Sequence, residues 1–194
     1  MLQVSTRSSV DSSPKFSVRR LWAHEWGLWE GHLLRLDRED RRMRFSGPAG
    51  DAAIRRYCSR AGFLDAVLFG AFIDGELRGV GEFRLLPGGW PRHGELAFSV
   101  ERSWQGLGIG TTLFRRLVTF ARNRTLGKLF LVTAPGNRAM RAIAAKAGME
   151  LHCEDGDVEG RMRLRWPTWA SMMEEWMAES SGFWREWAWA GAIR

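Results

Sequence analysis

From Ala66 to Ile73 the chain is an unbroken apolar run; Asp74-Gly75 follows, and Glu76 to Leu86 then alternates apolar and polar positions. An apolar run, an Asp-Gly turn and a period of two predict a β-hairpin. Alternation puts Leu77, Gly79, Gly81, Phe83 and Leu85 on one face of its second strand, and Arg78, Val80, Glu82 and Arg84 on the other. Upstream, Phe16 to Trp22 predicts a strand, and Glu30 to Asp37 and Gly50 to Ala61 predict two helical pieces joined by an arginine-rich turn, Arg38 to Phe45. Downstream, Pro87 to Pro91 is a loop and Glu95 to Glu101 alternates again, as a strand. The segment Thr111 to Arg124 is helical, with Ile109, Leu113, Leu117 and Ala121 on one face and Phe114 and Val118 beside them.

Lys128 to Thr133 predicts a short buried strand, and Pro135-Gly136-Asn137 opens a helix with Met140, Ile143, Ala144 and Ala147 at helical spacing. Gly148 stands at its stop, and Met149 to Glu154 with Glu159 to Trp166 predicts a closing hairpin across Asp155-Gly156-Asp157. Strand, two helices, three strands, helix, strand, helix and two strands make an α/β fold around a mixed sheet. No internal repeat interrupts that order. Residues 1–15 are rich in Ser and Thr and are expected to form a tail, 16–166 the domain, and 167–194 a Trp-rich helical extension.

Composition adds bounds. With 45% hydrophobic and 26% charged residues over 194 positions, one globular domain is expected. No apolar run reaches the roughly 20 residues of a membrane helix, so no membrane partner is expected. Cys58 and Cys153 form neither a metal-ligand spacing nor a disulfide framework, so the expectation is a cytoplasmic protein without a metal. The net charge of +7 fits scattered surface arginine and an anionic ligand better than nucleic acid, for which no base-reading motif is present.

The candidate chemistry begins at Gln105-Gly106-Leu107-Gly108-Ile109-Gly110, between the strand Glu95–Glu101 and the helix from Thr111. Glycines at a helix entry let the backbone approach a ligand, while the first-turn N–H groups and the helix dipole favour phosphate. That sequence, Gln-x-x-Gly-x-Gly after the fourth strand, resembles the pyrophosphate motif of the GCN5-related N-acetyltransferase (GNAT) superfamily. Asn137, followed eleven residues later by Gly148-Met149, is similar to that family's second landmark. The likeness spans roughly Phe16 to Trp166, and Asn137-Arg138-Ala139-Met140 with Ala144 resembles the bacterial protein-lysine acetyltransferase branch.

The resemblance implies a mixed, splayed sheet flanked by helices, with acetyl-CoA as cosubstrate. The backbone of Phe98 and Val100 would then hold the acetyl and pantetheine amides. Gln105, Gly106, Leu107, Gly108, Ile109, Gly110, Thr111 and Thr112 would hold the pyrophosphate, and Asn137 would reach the pantetheine arm or simply cap its helix.

The acceptor would be a primary amine, of a small molecule or a protein lysine, and an alkylamine with a pKa near 10.4 needs a base or a desolvating pocket. Glu95, ten positions before Gln105, matches the family's usual base, and it shares a strand face with the small residues Ala97 and Ser99 and with Glu101. Glu101 and His93 are secondary candidates. Many relatives place a proton-donating tyrosine seven residues after the asparagine; here Ala144 stands there, and the chain's one tyrosine is Tyr57. Water protonating the thiolate and a silent acyl-CoA-binding module are both open readings. Trp29, Arg35, Trp90, Trp104 and Asp155 are candidate pocket residues, and Arg38, Arg41, Arg42 and Arg44 are expected on a solvated basic turn. Beyond the domain, Trp169, Met172, Met173, Trp176 and Met177 form one stripe of a helix, whose expected use is packing on the domain or closing a homodimer.

Overall fold

The computed structural model describes residues 15–60, 66–154 and 156–179. Seven strands form one sheet: β1 (Ser17–Leu21), β2 (Ala66–Ile73), β3 (Glu76–Leu85), β4 (His93–Val100), β5 (Lys128–Thr133), β6 (Glu150–Glu154) and β7 (Asp157–Arg163). Their order is β1-β2-β3-β4-β5-β7-β6, and the β4–β5 pair is parallel while all the others are antiparallel. The mixed α/β architecture expected from the pattern is the one found.

Helices α1 (Trp26–Arg35), α2 (Arg38–Phe45) and α3 (Asp51–Arg60) precede the hairpin; α4 (Ile109–Asn123) follows β4, α5 (Arg138–Lys146) follows β5, and α6 covers 169–179. Two apolar layers result. Phe69, Phe83, Leu96, Leu113, Leu117 and Phe120 pack between the sheet and α4, with Met140 and Ala144 of α5. On the opposite face, Trp29, Leu33, Ile54 and Cys58 of α1 and α3 meet Leu68, Phe72, Leu77 and Val80.

Two details depart from the sequence reading. The first is Leu77, which lies on the α1–α3 face with Val80 rather than with Gly79. Ala71 pairs with Gly79 but Phe72 with Leu77, so Arg78 is an extra residue in β3, and such a bulge resets the alternation. The second is the segment Arg38–Phe45, which is a helix and not a turn. Asp37 caps it by accepting from the Asp40 N–H at 2.8 Å; Glu39 and Asp40 sit in its first turn and Arg42 and Arg44 in its last, matching the helix dipole. Of its arginines, Arg41 donates to the carbonyls of Leu34 and Leu36 and to Asp51, and Arg44 is drawn inward to Glu82 at 2.5 Å. Only Arg38 and Arg42 remain exposed as expected.

Candidate active site

The strand β4 pairs with β5 only from His93–Lys128 to Leu96–Leu131. Beyond Leu96 the two diverge, and β5 continues to Thr133 bonded to β7 on its other side. The edge of β4 from Ala97 to Val100 therefore faces β5 without a partner strand, and its polar groups are open to a ligand that runs alongside. Next to this opening lies a cavity of about 560 Å³, walled by α2, β4, the glycine turn and the start of α5.

The glycine turn is shaped by two residues in the left-handed region, Gly106 (φ 79°) and Gly108 (φ 82°). Gly108 is the N-cap of α4 and offers no side-chain cap, so the N–H groups of Ile109, Gly110 and Thr111 have no acceptor within the helix. Thr112 is different: its N–H and its hydroxyl both donate to the Gly108 carbonyl, at 3.0 and 3.1 Å. Free first-turn amides at the positive end of a helix dipole are what a pyrophosphate requires. The Gln105 side chain does not point at such a ligand; it donates to the Val100 carbonyl at 2.9 Å and to Asp40 at 3.0 Å, pinning the turn to β4 and α2.

Of the residues expected to meet the cofactor, Phe98, Val100, Gln105, Gly106, Gly108, Ile109, Gly110, Thr111 and Asn137 line the cavity, whereas Leu107 and Thr112 do not. Asn137 caps α5 by accepting from the Met140 N–H at 3.0 Å, which leaves its amide NH₂ to offer a ligand. The cap reading of that residue is the one the structure shows.

Glu95 stands in the paired part of β4, half-buried, opposite Arg84 of β3 and Phe130 of β5, and it is not a lining residue. His93 is likewise half-buried outside the cavity, edge-on to Phe130. Among the expected pocket residues, Trp104 lines the cavity with the Arg78 guanidinium over its ring. Trp29 is a core residue at 1% exposure and Trp90 lies out in solvent at 74%. Asp155 falls outside the described residues.

Neither tyrosine position supplies an acid. Ala144 is fully buried in the core. Tyr57 donates to the buried Glu82 at 2.8 Å and accepts from Arg44 at 2.8 Å; burial pushes its hydroxyl above the ordinary tyrosine range, and it does not line the cavity. Burial also pushes the Cys58 thiol up to about 12, so it is no nucleophile at neutral pH.

One group was only partly anticipated from the sequence: Glu101 is a secondary base candidate there and Ser99 lies on its strand face, but His32 is not among the candidates. Ser99 lines the cavity, and its hydroxyl lies 2.9 Å from Nε2 of His32, a histidine of α1 with 0% exposure. His32 Nδ1 lies 3.2 Å from Glu101 Oε1. Burial alone would raise the Glu101 carboxyl, but hydrogen bonds from His32, Arg78 and Arg35 outweigh it and hold the group down at about 2. Burial is the largest influence on His32 and lowers it below the ordinary histidine value of 6.5, so the ring is neutral at neutral pH. No local pattern marks His32, which is 67 residues from Ser99; only the packing of α1 against the sheet brings them together.

Comparison with known proteins agrees on family and fold. A model of the Acetyltransferase (GNAT) family matches residues 32–149. The chain is 30% identical to the acetyltransferase PA5475 of Pseudomonas aeruginosa over 144 residues, covering 72% of this chain and 77% of that one. Among solved structures it is similar in fold to the GNAT domain of S. lividans PAT, with a TM-score of 0.65 and 23% identity over 76% of this chain and 89% of the other. It is also similar to PaiA N-acetyltransferase from Thermoplasma acidophilum in complex with coenzyme A, with a TM-score of 0.60 and 17% identity over 77% of this chain and 99% of the other.

Proposed function

The chain belongs to the Acetyltransferase (GNAT) family, and from that premise we propose that it is an acetyl-CoA-dependent N-acetyltransferase acting on a primary amine. The acceptor is a small molecule or a protein lysine, and the amine attacks the thioester directly. The single observation that carries this reading is the divergence of β4 from β5 beside a glycine turn with free helix N–H groups, all on one cavity. The N–H groups of Ile109, Gly110 and Thr111 hold the pyrophosphate, and the β4 edge at Phe98 and Val100 holds the pantetheine arm and the acetyl carbonyl. A backbone N–H there also meets the charge that develops on the carbonyl oxygen.

The acceptor enters from the α2 side, where Glu39 and Asp40 line the cavity together with Arg44 and Arg102. An ammonium is not a nucleophile, so its proton must leave first. Glu95 is the base that the family pattern offers, but from the paired end of β4 it would reach the amine only through intervening water; water also protonates the departing thiolate, since no tyrosine hydroxyl reaches the cavity. The rival reading, a module that binds acyl-CoA without turnover, draws on the fully buried Ala144. The protein works in a reducing cytoplasm, with a second copy docking on α6.

The test has two arms. Millimolar acetyl-CoA should raise the melting temperature, because a ligand bound only by the native state stabilises it by mass action. Thiol release should then follow with at least one of Nα-acetyl-lysine amide, putrescine, phenethylamine or a lysine peptide. No thermal shift would remove the cofactor assignment. A shift without thiol release on any acceptor would favour the silent module.

A further inference from the structure

The amine needs a proton acceptor at the cavity wall, and Glu95 lies outside that wall. On the same face of β4, four residues nearer the glycine turn, Ser99 is part of it. We propose that Ser99, backed by His32 and Glu101, is the immediate proton acceptor for the incoming amine. This rests on the N-acetyltransferase reading above and assigns its deprotonation step.

The geometry fixes the direction of the relay. Glu101 is ionised and can only accept, so His32 Nδ1 carries a hydrogen and donates to it at 3.2 Å. A neutral imidazole then has its lone pair on Nε2, and the Ser99 hydroxyl donates to that nitrogen at 2.9 Å. Its oxygen lone pairs are left toward the cavity, where an ammonium can donate to them. The charged groups around His32 are Glu101, Arg35 on its own helix and Arg78 on β3. Both arginines bond to Glu101, at 2.9 Å each from Arg35 Nε and Arg78 Nη1. They keep that carboxylate in place and unprotonated; it orients the ring and offsets the charge of the imidazolium that forms.

In the step itself, the ammonium gives a proton to Ser99 Oγ while the hydroxyl proton passes to His32 Nε2. The amine nitrogen bonds to the thioester carbonyl carbon, the C–S bond breaks, and the second nitrogen proton goes through water to the thiolate. The products are amide and thiol, and His32 returns its proton to solvent by the reverse path. Ser99 touches the substrate and is the catalytic group; His32 and Glu101 act through it and are positioning residues.

Two readouts test this. The first needs no turnover: ¹⁵N-histidine NMR of the ligand-free protein at pH 7.5 should show His32 neutral, with the hydrogen on Nδ1. A doubly protonated ring, or a neutral ring with its hydrogen on Nε2, would overturn the proposal. The second uses the fastest acceptor from the amine panel. Ser99→Ala should lower kcat about 100-fold, within the usual range for a positioned acid–base group. The KM for acetyl-CoA and the melting temperature should stay near wild type, and the acidic limb of the kcat/KM profile should flatten. Ser99→Thr keeps a hydroxyl and should recover most of the loss. If Ser99→Ala stays within twofold with an unchanged profile, or if Glu95→Gln alone abolishes the acidic limb, the relay is not the acceptor. If the wild-type protein releases no thiol with any amine, it is the N-acetyltransferase reading that fails.

Discussion

The glycine turn contains two glycines whose replacement should act in different ways. Gly108 is held at φ 82° with open space where a Cβ would stand. An alanine there meets no neighbour, so its whole cost is the left-handed backbone, about 1–2 kcal/mol for a residue with a Cβ. For a chain of this size that is a drop of about 2–8 °C in melting temperature. Gly110 is one of the first helical residues of α4, outside the left-handed region, and a Cβ there would lie 3.1 Å from the terminal Cδ1 methyl of Ile143. Helix propensity favours alanine over glycine by up to about 1 kcal/mol, and the crowding falls on a movable methyl, so the two nearly cancel.

Gly108→Ala should therefore melt several degrees lower and Gly110→Ala within about 2 °C of wild type. The ligand separates the cases further. At 100-fold excess over Kd, acetyl-CoA should stabilise the wild type by about 2.7 kcal/mol. If relaxing φ at residue 108 turns one first-turn N–H away, affinity falls at least about tenfold, since a hydrogen bond to a charged group is worth about 1.5–3 kcal/mol. The same concentration then stabilises by only about 1.4 kcal/mol. Differential scanning fluorimetry with and without acetyl-CoA reads both quantities. A Gly108→Ala protein that melts with wild type and shows the same acetyl-CoA shift would refute the idea that this backbone conformation builds the cradle.

Glu82→Ala should cost about 3–5 kcal/mol by denaturant unfolding, because Glu82 is 2% exposed and its loss strands the buried Arg44 guanidinium; a cost below 1 kcal/mol would mean the pair is hydrated. Stability should fall on acidification in two stages. Below about pH 6.5 the unfolded chain protonates His32 while burial resists this in the native state. Glu101's contribution is complete above its ordinary value of 4.5 and is lost as pH falls toward about 2; urea midpoints that are flat from pH 7 to 3 would contradict both. Finally, α6 docks by its polar side: Ser171 donates to Asn123 at 2.6 Å, and Glu175 accepts from Asn123 and from Arg124 at 2.6 Å each. Its apolar stripe is thus left outward, with Trp169 84% and Trp176 64% exposed. Sedimentation should show a dimer that Trp169→Glu with Trp176→Glu dissociates, and a wild-type monomer at all concentrations would dismiss the second copy.

Much of the architecture was legible because each segment carries its own periodicity. The hairpin Ala66–Ile73 and Glu76–Leu85, the strand before the glycine turn and both later helices follow from local pattern and turn residues, and the left-handed Gly106 and Gly108 follow from residue type. The structure departs from the local pattern at two places. The bulge at Arg78 sent Leu77 to the other face, and the capped segment Asp37–Arg44 became a helix whose Arg44 turned inward toward Glu82. Its cap, Asp37 followed by Glu39 and Asp40, was present in the sequence but outweighed by the four arginines. For α6 the stripe was read correctly as a stripe, but the side that packs was decided by Asn123 and Arg124 at the end of α4.

The sequence by itself determined the glycine turn of this protein and the elements that flank it. A glycine turn, a strand before it and a helix after it are contiguous, and hydrogen-bonding geometry over a few neighbouring residues is enough to make a phosphate cradle. The juxtaposition of Ser99 and Glu101 with His32 was decided only by the tertiary structure. Ser99 at the end of β4 and Glu101 just beyond it lie 67 and 69 residues from His32 of α1, and a hydroxyl, an imidazole and a carboxylate can share a proton only when packing holds them within hydrogen-bond distance.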